Sequence, residues 1–402
     1  MALTPIMSER RVSLIGALLV ALGPMSMAIY TPAMPDIVET FSTTDAAVKS
    51  TVPLYFAGFA FAQLVCGPLS DALGRRATAL IFVGIYLAAS MLGALSPTIE
   101  VLIAARVLQG IGAAAGFAIS RAIMRDLFDA ESTARIMNLI IIILAVGPAL
   151  APSIGGFLLN YVPWRALFWL MVGLGLMSGV AILTLQRETV RRDMSRLRPA
   201  ATAAAYAGIL RNRYFLLAGV VIAGTNGVLY TLATLLAFIM IEEVGFSATA
   251  FGLSMLLQTG MFFLGSVCFR LLTRRVRPIR LVPVGLACVA IAIVALPALF
   301  PYGPSLVTVM GPVAVFSFGI AFSFPVMMAE AMKPISTSIG AASAMLGFLQ
   351  MGGGMAGGFV ASFIADPYVA LVTVVPAMGA IALASWLVWR RLPTPGEEPA
   401  AP

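Results

Sequence analysis

The sequence predicts an all-α polytopic membrane protein in which twelve transmembrane helices form two six-helix bundles. The first observation is composition: 60% of the 402 residues are hydrophobic and 10% are charged, and the mean hydropathy is +1.01. A soluble domain carries about 25% charged residues. The second observation is that apolar runs of span length recur along the chain, and the third is a basic loop near its middle. Together they indicate a helical membrane protein built in two halves.

Twelve apolar runs are long enough to cross a bilayer. Most arginines then lie at one end of the predicted bundle, whereas Lys49, Arg165 and seven acidic residues lie at the other. Because cytoplasmic loops are enriched in arginine and lysine, this bias predicts that both termini are cytoplasmic. The predicted spans are 12–34, 50–69, 77–96, 99–120, 136–159, 164–185, 214–239, 249–271, 281–300, 305–328, 339–364 and 369–389.

The longest predicted loop, 186–213, carries seven arginines and two acidic residues. This composition is typical of a cytoplasmic linker that lies along anionic lipid headgroups. The linker separates an N-terminal six-helix bundle, 1–185, from a C-terminal six-helix bundle, 214–391. The tail, 392–402, is rich in proline and glutamate and is predicted to be disordered.

Arg106 is the only charge that the sequence places well inside a predicted span. An arginine at the centre of a membrane helix costs about 2.5–3.5 kcal/mol on insertion scales, so it is retained where it faces a polar cavity or a partner. Gln109 shares the helical face of Arg106, whereas Gly112 and Gly116 form a small-residue stripe that allows close helix packing. The sequence therefore predicts one cavity-lining face and one packed face.

A ten-residue motif, Gly-Pro-Leu-Ser-Asp-Ala-Leu-Gly-Arg-Arg, joins the second and third predicted spans at the arginine-rich end. Gly67 is expected to allow close helix packing, and Gly74 is expected to allow a tight turn. Asp71 needs a cationic partner there, which Arg75 or Arg125 could supply.

This motif closely resembles the signature loop of the major facilitator superfamily. Residues 106–114 resemble the fourth-helix motif of that superfamily, and residues 147–156 resemble its fifth-helix antiporter motif. The resemblance implies a conformational gate and an antiporter motif. The gate residues are Gly67, Asp71, Gly74, Arg75, Arg76, Arg125 and Asp126, and the antiporter residues are Gly147, Pro148, Pro152, Gly155 and Gly156.

Three further stretches narrow the resemblance. Residues 28–35, 324–334 and 340–350 are similar to the bicyclomycin/chloramphenicol-resistance (Bcr/CflA) group of drug–proton antiporters. The similarity covers essentially all twelve spans. It implies a bacterial inner-membrane exporter with a central cavity between two bundles and alternating access by rocking.

One departure from that group concerns proton coupling. The group commonly has an aspartate where this chain has Ala28, and this chain has no histidine. A proton-driven antiporter needs a titratable group whose pKa lies near neutrality. Glu330, at the end of the tenth predicted span, is the remaining candidate; the alternative is a solvated helix end that faces Lys333.

Polar side chains within spans need hydrogen-bond partners or water. Ser26 and Tyr30 are spaced i, i+4 on the first span, and Asn226 and Tyr230 have the same spacing on the seventh. Both pairs are expected to face the cavity, and hydrogen bonds between helices are the alternative. The predicted substrate and proton pathway consists of Ser26, Tyr30, Gln63, Arg106, Gln109, Asn226, Tyr230, Glu330 and Gln350.

A cavity that contains Arg106 and no acid disfavours lipophilic cations. The predicted substrates are neutral, zwitterionic or anionic amphiphilic drugs, phenicol-like or bicyclomycin-like compounds among them. The alternative within transport is a dedicated exporter of one metabolite, such as a siderophore-like product or a sugar.

Other classes of function are disfavoured. The net charge of +8 is explained by topology signals rather than nucleic-acid binding. The lack of histidine and three isolated cysteines predict no metal and no cofactor. An enzyme would need clustered catalytic side chains, and the two-bundle repeat argues against a channel. The expected partners are a small-molecule drug or metabolite, protons and the lipid bilayer, with the protein acting as a monomer.

Overall fold

A computed structural model describes residues 7–129, 132–133, 135–136, 140, 150–190, 192–194, 199–335 and 338–393. Within these ranges the chain is helical apart from short connections, and it contains no strand. The helices are α1 (Glu9–Tyr30), α2 (Met34–Phe41), α3 (Asp45–Leu73), α4 (Arg75–Ala94), α5 (Ile99–Ala113), α6 (Ala115–Leu127), α7 (Arg165–Leu185), α8 (Pro199–Arg211), α9 (Arg213–Ala237), α10 (Ala248–Leu272), α11 (Val282–Leu299), α12 (Gly311–Met332), α13 (Ile339–Ser362) and α14 (Pro367–Trp389).

Eleven helical stretches of the described part are long and apolar enough to cross a membrane. They coincide with eleven of the twelve predicted spans, so the chain is a multi-pass membrane protein. Half of the predicted fifth span, 136–159, lies outside the described residues, and its described part is helical over 150–158.

Side-chain caps set where several helices begin. The side chains of Thr44, Asn212, Ser247 and Asp366 each accept a hydrogen bond from a backbone N–H in the first turn of the helix that follows. Such caps satisfy backbone donors that the helix itself leaves unpaired. They place the starts of α3, α9, α10 and α14 within a few residues of the predicted span boundaries.

The structure differs from the predicted spans in three places. The fourth predicted span, 99–120, is interrupted at Ala114, where α5 ends and α6 begins. The predicted linker contains α8, a helix that its arginine-rich composition does not indicate. The seventh span continues past α9 as a wider π-helical turn over Phe238–Glu243, and such turns are often found at functional sites.

Helix α3 is central to the packing. It packs against α5 in the N-terminal part of the chain and against α13 and α9 in the C-terminal part. Buried apolar side chains form one core that is mainly N-terminal and two cores that are C-terminal. We call the end of the bundle that contains Arg75 the arginine-rich end, and the end that contains Lys49 the opposite end.

Candidate functional site

The most enclosed charge in the described part is Arg106 on α5, whose side chain is 0% exposed. Its guanidinium carbon lies 4.4 Å from the ring centroid of Tyr30 on α1 and 4.4 Å from that of Tyr55 on α3. Aromatic faces attract a desolvated cation by about 2 kcal/mol each. We call this arrangement the tyrosine cage.

Hydrogen bonds fix one side of the guanidinium. Arg106 Nη1 donates to Gln109 Oε1 at 2.6 Å and to the Ser26 carbonyl at 3.5 Å. Gln109 Nε2 in turn donates to Ser90 Oγ at 2.8 Å, and Ser26 Oγ lies 2.5 Å from the Tyr86 hydroxyl. The i, i+3 spacing of Arg106 and Gln109 therefore produces a direct contact, as the sequence predicts.

The other side of the guanidinium is unpaired. Arg106 Nε and Nη2 are buried and have no hydrogen-bond partner among the described residues. The ion pairs found in that part of the chain do not include Arg106. The sequence predicts that Arg106 lines a cavity, whereas in this conformation the side chain is fully enclosed by the cage.

Close backbone packing builds the cage. A methyl group at Gly110 would overlap the carbonyl of Tyr55, and one at Gly58 would overlap the carbonyl of Val107. The glycines therefore let α3 and α5 approach within contact of their backbones. Gly112 and Gly116 meet Tyr86 and the Leu19 carbonyl in the same way, which confirms the predicted packed face.

Two of the polar residues predicted on the second half, Tyr230 and Gln350, lie close to one wall of the cage. Phe56, next to Tyr55 on α3, packs on the ring of Tyr230 with centroids 4.4 Å apart. Gln350 Nε2 donates to the Tyr230 hydroxyl at 3.3 Å. Asn226 is buried, and its Nδ2 has no partner in the described part of the chain. Tyr230 of the expected cavity pair on the seventh span thus meets helices α3 and α13.

Gln63 belongs to a helix crossing. Its side-chain amide lies directly against Gly347 of α13, so a methyl group there would require the Gln63 side chain to move. The missing side chain at Gly347 therefore leaves room for the Gln63 amide where α3 packs on α13.

The predicted gate residues form a second charged centre at the arginine-rich end. Arg75 is 3% exposed and pairs with Asp71 and, through Nε at 3.0 Å, with Asp126 Oδ2. Its Nη1 also donates to Ser70 Oγ at 3.1 Å. Of the two partners offered to Asp71 by the sequence, Arg75 is confirmed; the Arg125 side chain lies outside the described set.

The turn before Arg75 has the predicted conformation. Gly74 has φ +97°, which favours glycine, and its Cα lies against the Glu188 carboxylate. Glu188, from the linker, accepts hydrogen bonds from the backbone N–H groups of Arg75 at 2.7 Å and Arg76 at 3.2 Å. Arg76 Nη2 donates to the Leu183 carbonyl at 2.8 Å.

Gly67 does not have the packing role that the sequence suggests. A methyl group at this position would meet none of the described atoms within 4 Å. The motif supplies a glycine here, but none of the described helices lies against it in this conformation.

The described part of the antiporter motif lies between the two parts of the chain. Gly155 would overlap the Ile29 carbonyl and Gly156 the Ala248 carbonyl if either carried a methyl group, and Gly252 of α10 meets Pro152. Ser153 Oγ donates to the Gly252 carbonyl at 2.8 Å. Gly147 and Pro148 lie outside the described residues.

Glu330 is buried rather than solvated. Lys333 Nζ donates to its Oε1 at 2.7 Å, as the i, i+3 spacing predicts. The Tyr214 hydroxyl on α9 donates to its Oε2 at 2.7 Å. The carboxylate thus joins α12 to α9, a role that the sequence does not indicate.

Lys49 is a buried charge that the sequence does not predict. Lys49 is 1% exposed; its Nζ donates to the Ala365 carbonyl at 3.4 Å and lies 5.0 Å from the Phe238 ring centroid. Asp45, one turn earlier, is 3.9 Å away. The only sequence feature that indicates an interaction of this lysine is the acid four residues before it, since Lys49 itself precedes a predicted span by one residue.

A bundle of membrane-spanning helices that buries polar and charged side chains inside its spans is typical of a transporter. The sequence profile of the Major Facilitator Superfamily matches residues 16–358. The chain belongs to this superfamily, and it is a transporter rather than an enzyme. The predicted superfamily resemblance is confirmed, and the narrower Bcr/CflA resemblance stays a prediction.

Curated proteins that are similar in sequence carry the name of a multidrug resistance protein. Multidrug resistance protein MdtL of Salmonella dublin is 30% identical over 342 residues, which cover 83% of this chain and 84% of the relative. The protein of the same name from Salmonella typhimurium is also 30% identical over the same shares.

Solved structures share the fold. A D-xylose–proton symporter superposes with a TM-score of 0.72 at 15% identity, covering 96% of this chain and 98% of that one. The human organic anion transporter MFSD10 (TETRAN) superposes with a TM-score of 0.63 at 18% identity, covering 95% and 99%. At these identities the likeness concerns the fold alone.

Proposed function

We propose that this chain is a multidrug efflux transporter of the Bcr/CflA type that exchanges drugs for protons by alternating access. The observation that carries the proposal is the 30% identity, over most of both chains, to relatives named multidrug resistance protein. The domains follow the predicted boundaries: bundles at 1–185 and 214–391, a linker at 186–213 and a tail at 392–402. In this proposal the protein is a monomer of the bacterial inner membrane. Both termini are cytoplasmic, because arginines concentrate at the end of the bundle where the termini lie.

The substrates in this proposal are neutral, zwitterionic or anionic amphiphiles. The support is electrostatic: Arg106 is buried between tyrosine rings and has no acidic partner in the described part of the chain. A lipophilic cation placed beside it would be repelled in a medium of low dielectric constant. The substrate pathway of the proposal is the tyrosine cage together with Tyr230, Gln350 and Asn226.

Glu330 is the proton-carrying group of the proposal. It is buried and accepts hydrogen bonds from Tyr214 and Lys333, so protonation would weaken its link between α9 and α12. A proton could in this way alter the packing of two helices of the C-terminal half.

Growth inhibition by a drug panel in a pump-deficient bacterial host tests the proposal. We expect resistance to phenicols or similar uncharged drugs in cells with the wild type, and loss of resistance with Arg106→Ala. Arg274→Ala, which removes an exposed arginine, is the matched control and should behave as the wild type at equal membrane expression.

A different experimental result would contradict each part of the proposal. Resistance mainly to quaternary ammonium compounds would contradict the charge argument. No resistance to any drug, with both proteins inserted, would favour a dedicated metabolite exporter. In proteoliposomes, drug flux that ignores an imposed pH gradient would rule out proton coupling, and flux that depends on pH in Glu330→Gln as in the wild type would exclude Glu330.

A further inference from the structure

We propose that the unpaired edge of Arg106 is the binding site for a carboxylate group of an amphiphilic substrate. This inference rests on the proposed function, since it treats the tyrosine cage as a substrate site, and it names the substrate class within the broader prediction. The edge consists of Nε and Nη2, which are buried and have no partner among the described residues.

The geometry of the two unpaired donors selects the ligand. Nε–H and Nη2–H point in nearly parallel directions from one edge of the planar guanidinium, and a carboxylate accepts both in a bidentate pair. The remaining nitrogen, Nη1, is held by Gln109 and the Ser26 carbonyl. The side chain is therefore held in one orientation, and the Nε–H and Nη2–H donors remain free to bind a carboxylate.

The environment makes a fixed partner necessary in at least one state of the transport cycle. An unpaired ionised group in a medium of low dielectric constant carries a large desolvation penalty. The aromatic faces of Tyr30 and Tyr55 offset part of that penalty, but they contact the face of the guanidinium and leave the edge unmatched. A bound carboxylate supplies both the missing charge and the missing acceptors.

A singly charged, planar anion fits better than a phosphate. The described contacts of the cage include one cation, Arg106, together with hydroxyl, amide and aromatic groups. A phosphate dianion would keep one uncompensated negative charge among those groups, whereas a carboxylate would be neutralised.

In this conformation the cage is closed, so the ligand binds when its walls separate. The wall toward the second half is Tyr55 with Phe56, and Phe56 packs on Tyr230. Separation of α3 from α9 would uncover the outer side of that wall, and the cage opens when the Tyr55 ring then moves off the guanidinium. The aromatic rings exposed there suit the apolar body of an amphiphile.

A matched pair of probes tests the inference on the purified full-length protein in detergent. The probes are 2-naphthylacetate and 2-naphthylacetamide, which share shape and ring but differ in charge. Isothermal titration should show the acid bound to the wild type at least tenfold more tightly than the amide. Arg106→Lys keeps a cation but lacks the paired edge, and should reduce the preference to about twofold or less.

The control is Arg274→Lys, an exposed arginine, which should keep the wild-type preference. Equal affinity of the wild type for both probes would overturn the inference, and so would a preference that survives in Arg106→Lys. If Arg106→Lys does not fold, competition decides on the wild type alone. Formate should displace the bound acid at an ionic strength where chloride does not, and equal displacement by the two anions would overturn the inference.

Failure of the inference and failure of the proposed function give different results. Drug resistance that depends on Arg106, without a preference for the acid probe, would leave the efflux proposal standing and remove the carboxylate. Preference for the acid without resistance to any drug would leave the carboxylate site and favour a dedicated exporter of an organic acid.

Discussion

Two arginines in the N-terminal part of this transporter are buried to almost the same extent and are stabilised in opposite ways. Arg75 is 3% exposed and Arg106 is 0% exposed. Arg75 has two carboxylates and a serine hydroxyl as partners. Arg106 has two aromatic rings, an amide oxygen and a distant carbonyl. The same residue type therefore has a complete set of fixed partners at the arginine-rich end and an incomplete set in the centre.

The difference in partners indicates which of the two arginines stabilises the conformation that this structure shows. A buried cation whose acids are part of the chain has its charge compensated in every molecule, so Arg75 stabilises the conformation that this structure shows. A buried cation with unpaired donors lowers stability and is retained for interactions that occur at other times. On this reasoning Arg75 holds the helices and Arg106 is available to a ligand.

The largest expected contrast is in folding stability. Removing one partner of a buried ion pair costs about 3–5 kcal/mol, and partial exposure of Asp71 and Asp126 reduces this to about 2 kcal/mol for Arg75→Ala. Arg106→Met removes an unpaired charge and keeps the volume, so we expect its stability to stay within about 1 kcal/mol of the wild type. Thermal unfolding of the purified variants at one scan rate measures both.

The control for this pair is Arg274→Met, an exposed arginine, which should leave the unfolding midpoint unchanged. Equal destabilisation by Arg75→Ala and Arg106→Met would show that Arg106 is also structural.

The next comparison is between two glycines, Gly110 at the tyrosine cage and Gly67 in the gate motif. Gly110 sets the distance between α5 and α3 at the cage, and a methyl group there would overlap the Tyr55 carbonyl. Overpacking of this kind costs about 1–3 kcal/mol. Gly67, in the gate motif, has no described atom within 4 Å of an added methyl group, so Gly67→Ala should be neutral in stability.

Thermal unfolding and transport of Gly110→Ala and Gly67→Ala test this point. Gly110→Ala should lower both the midpoint and drug efflux. A neutral Gly110→Ala would mean that α3 and α5 can separate without cost.

The sequence predicts the fold and the residue types of both sites, but not their exposure. Periodic apolar runs locate the spans because a bilayer imposes length and composition on every helix that crosses it. The i, i+3 and i, i+4 spacings predict the contacts of Arg106 with Gln109 and of Glu330 with Lys333, since these are local. The same i, i+4 spacing makes Arg75 one of the two partners expected for Asp71, and this pair is observed.

What the sequence does not predict depends on contacts between distant segments. The Tyr55 ring, the Glu188 carboxylate and the Ala365 carbonyl reach Arg106, Arg75 and Lys49 from elsewhere in the chain. Nothing in the local pattern distinguishes an arginine that faces a cavity from one enclosed by tyrosines. For the same reason Lys49 is predicted at the surface, although the fold buries it.

A smaller effect separates the two acids that pair with Arg75. The side chain of Asp126 is 18% exposed and also accepts a hydrogen bond from Thr189 Oγ1 at 2.9 Å, whereas the side chain of Asp71 is 49% exposed. Solvent screening weakens the more exposed pair. We expect Asp126→Asn to cost about 1–2 kcal/mol and Asp71→Asn less than about 1 kcal/mol. Unfolding midpoints that fall equally, or in the reverse order, would contradict this ranking.

The smallest expected effect on stability concerns Lys49, a third buried cation that is intermediate between the two arginines. Its partners are one acid at 3.9 Å, one carbonyl and one aromatic ring, and two of the three come from the C-terminal part of the chain. Glu242, Glu243 and Asp366 add negative charge around it. Lys49→Met should therefore change the stability by less than about 1 kcal/mol, but it should loosen the closure of the opposite end.

Labelling of a buried cysteine separates closure from stability. In a variant without the three native cysteines, Ala237→Cys places a thiol beside Phe238, at a position that is buried in this structure. A membrane-impermeant maleimide should label it several-fold faster when Lys49→Met is added. Arg274→Met, which changes an exposed cation at the arginine-rich end, should leave the labelling rate unchanged. Equal rates in all three proteins would show that Lys49 does not hold the opposite end closed, and that packing of α3 against α13 is sufficient.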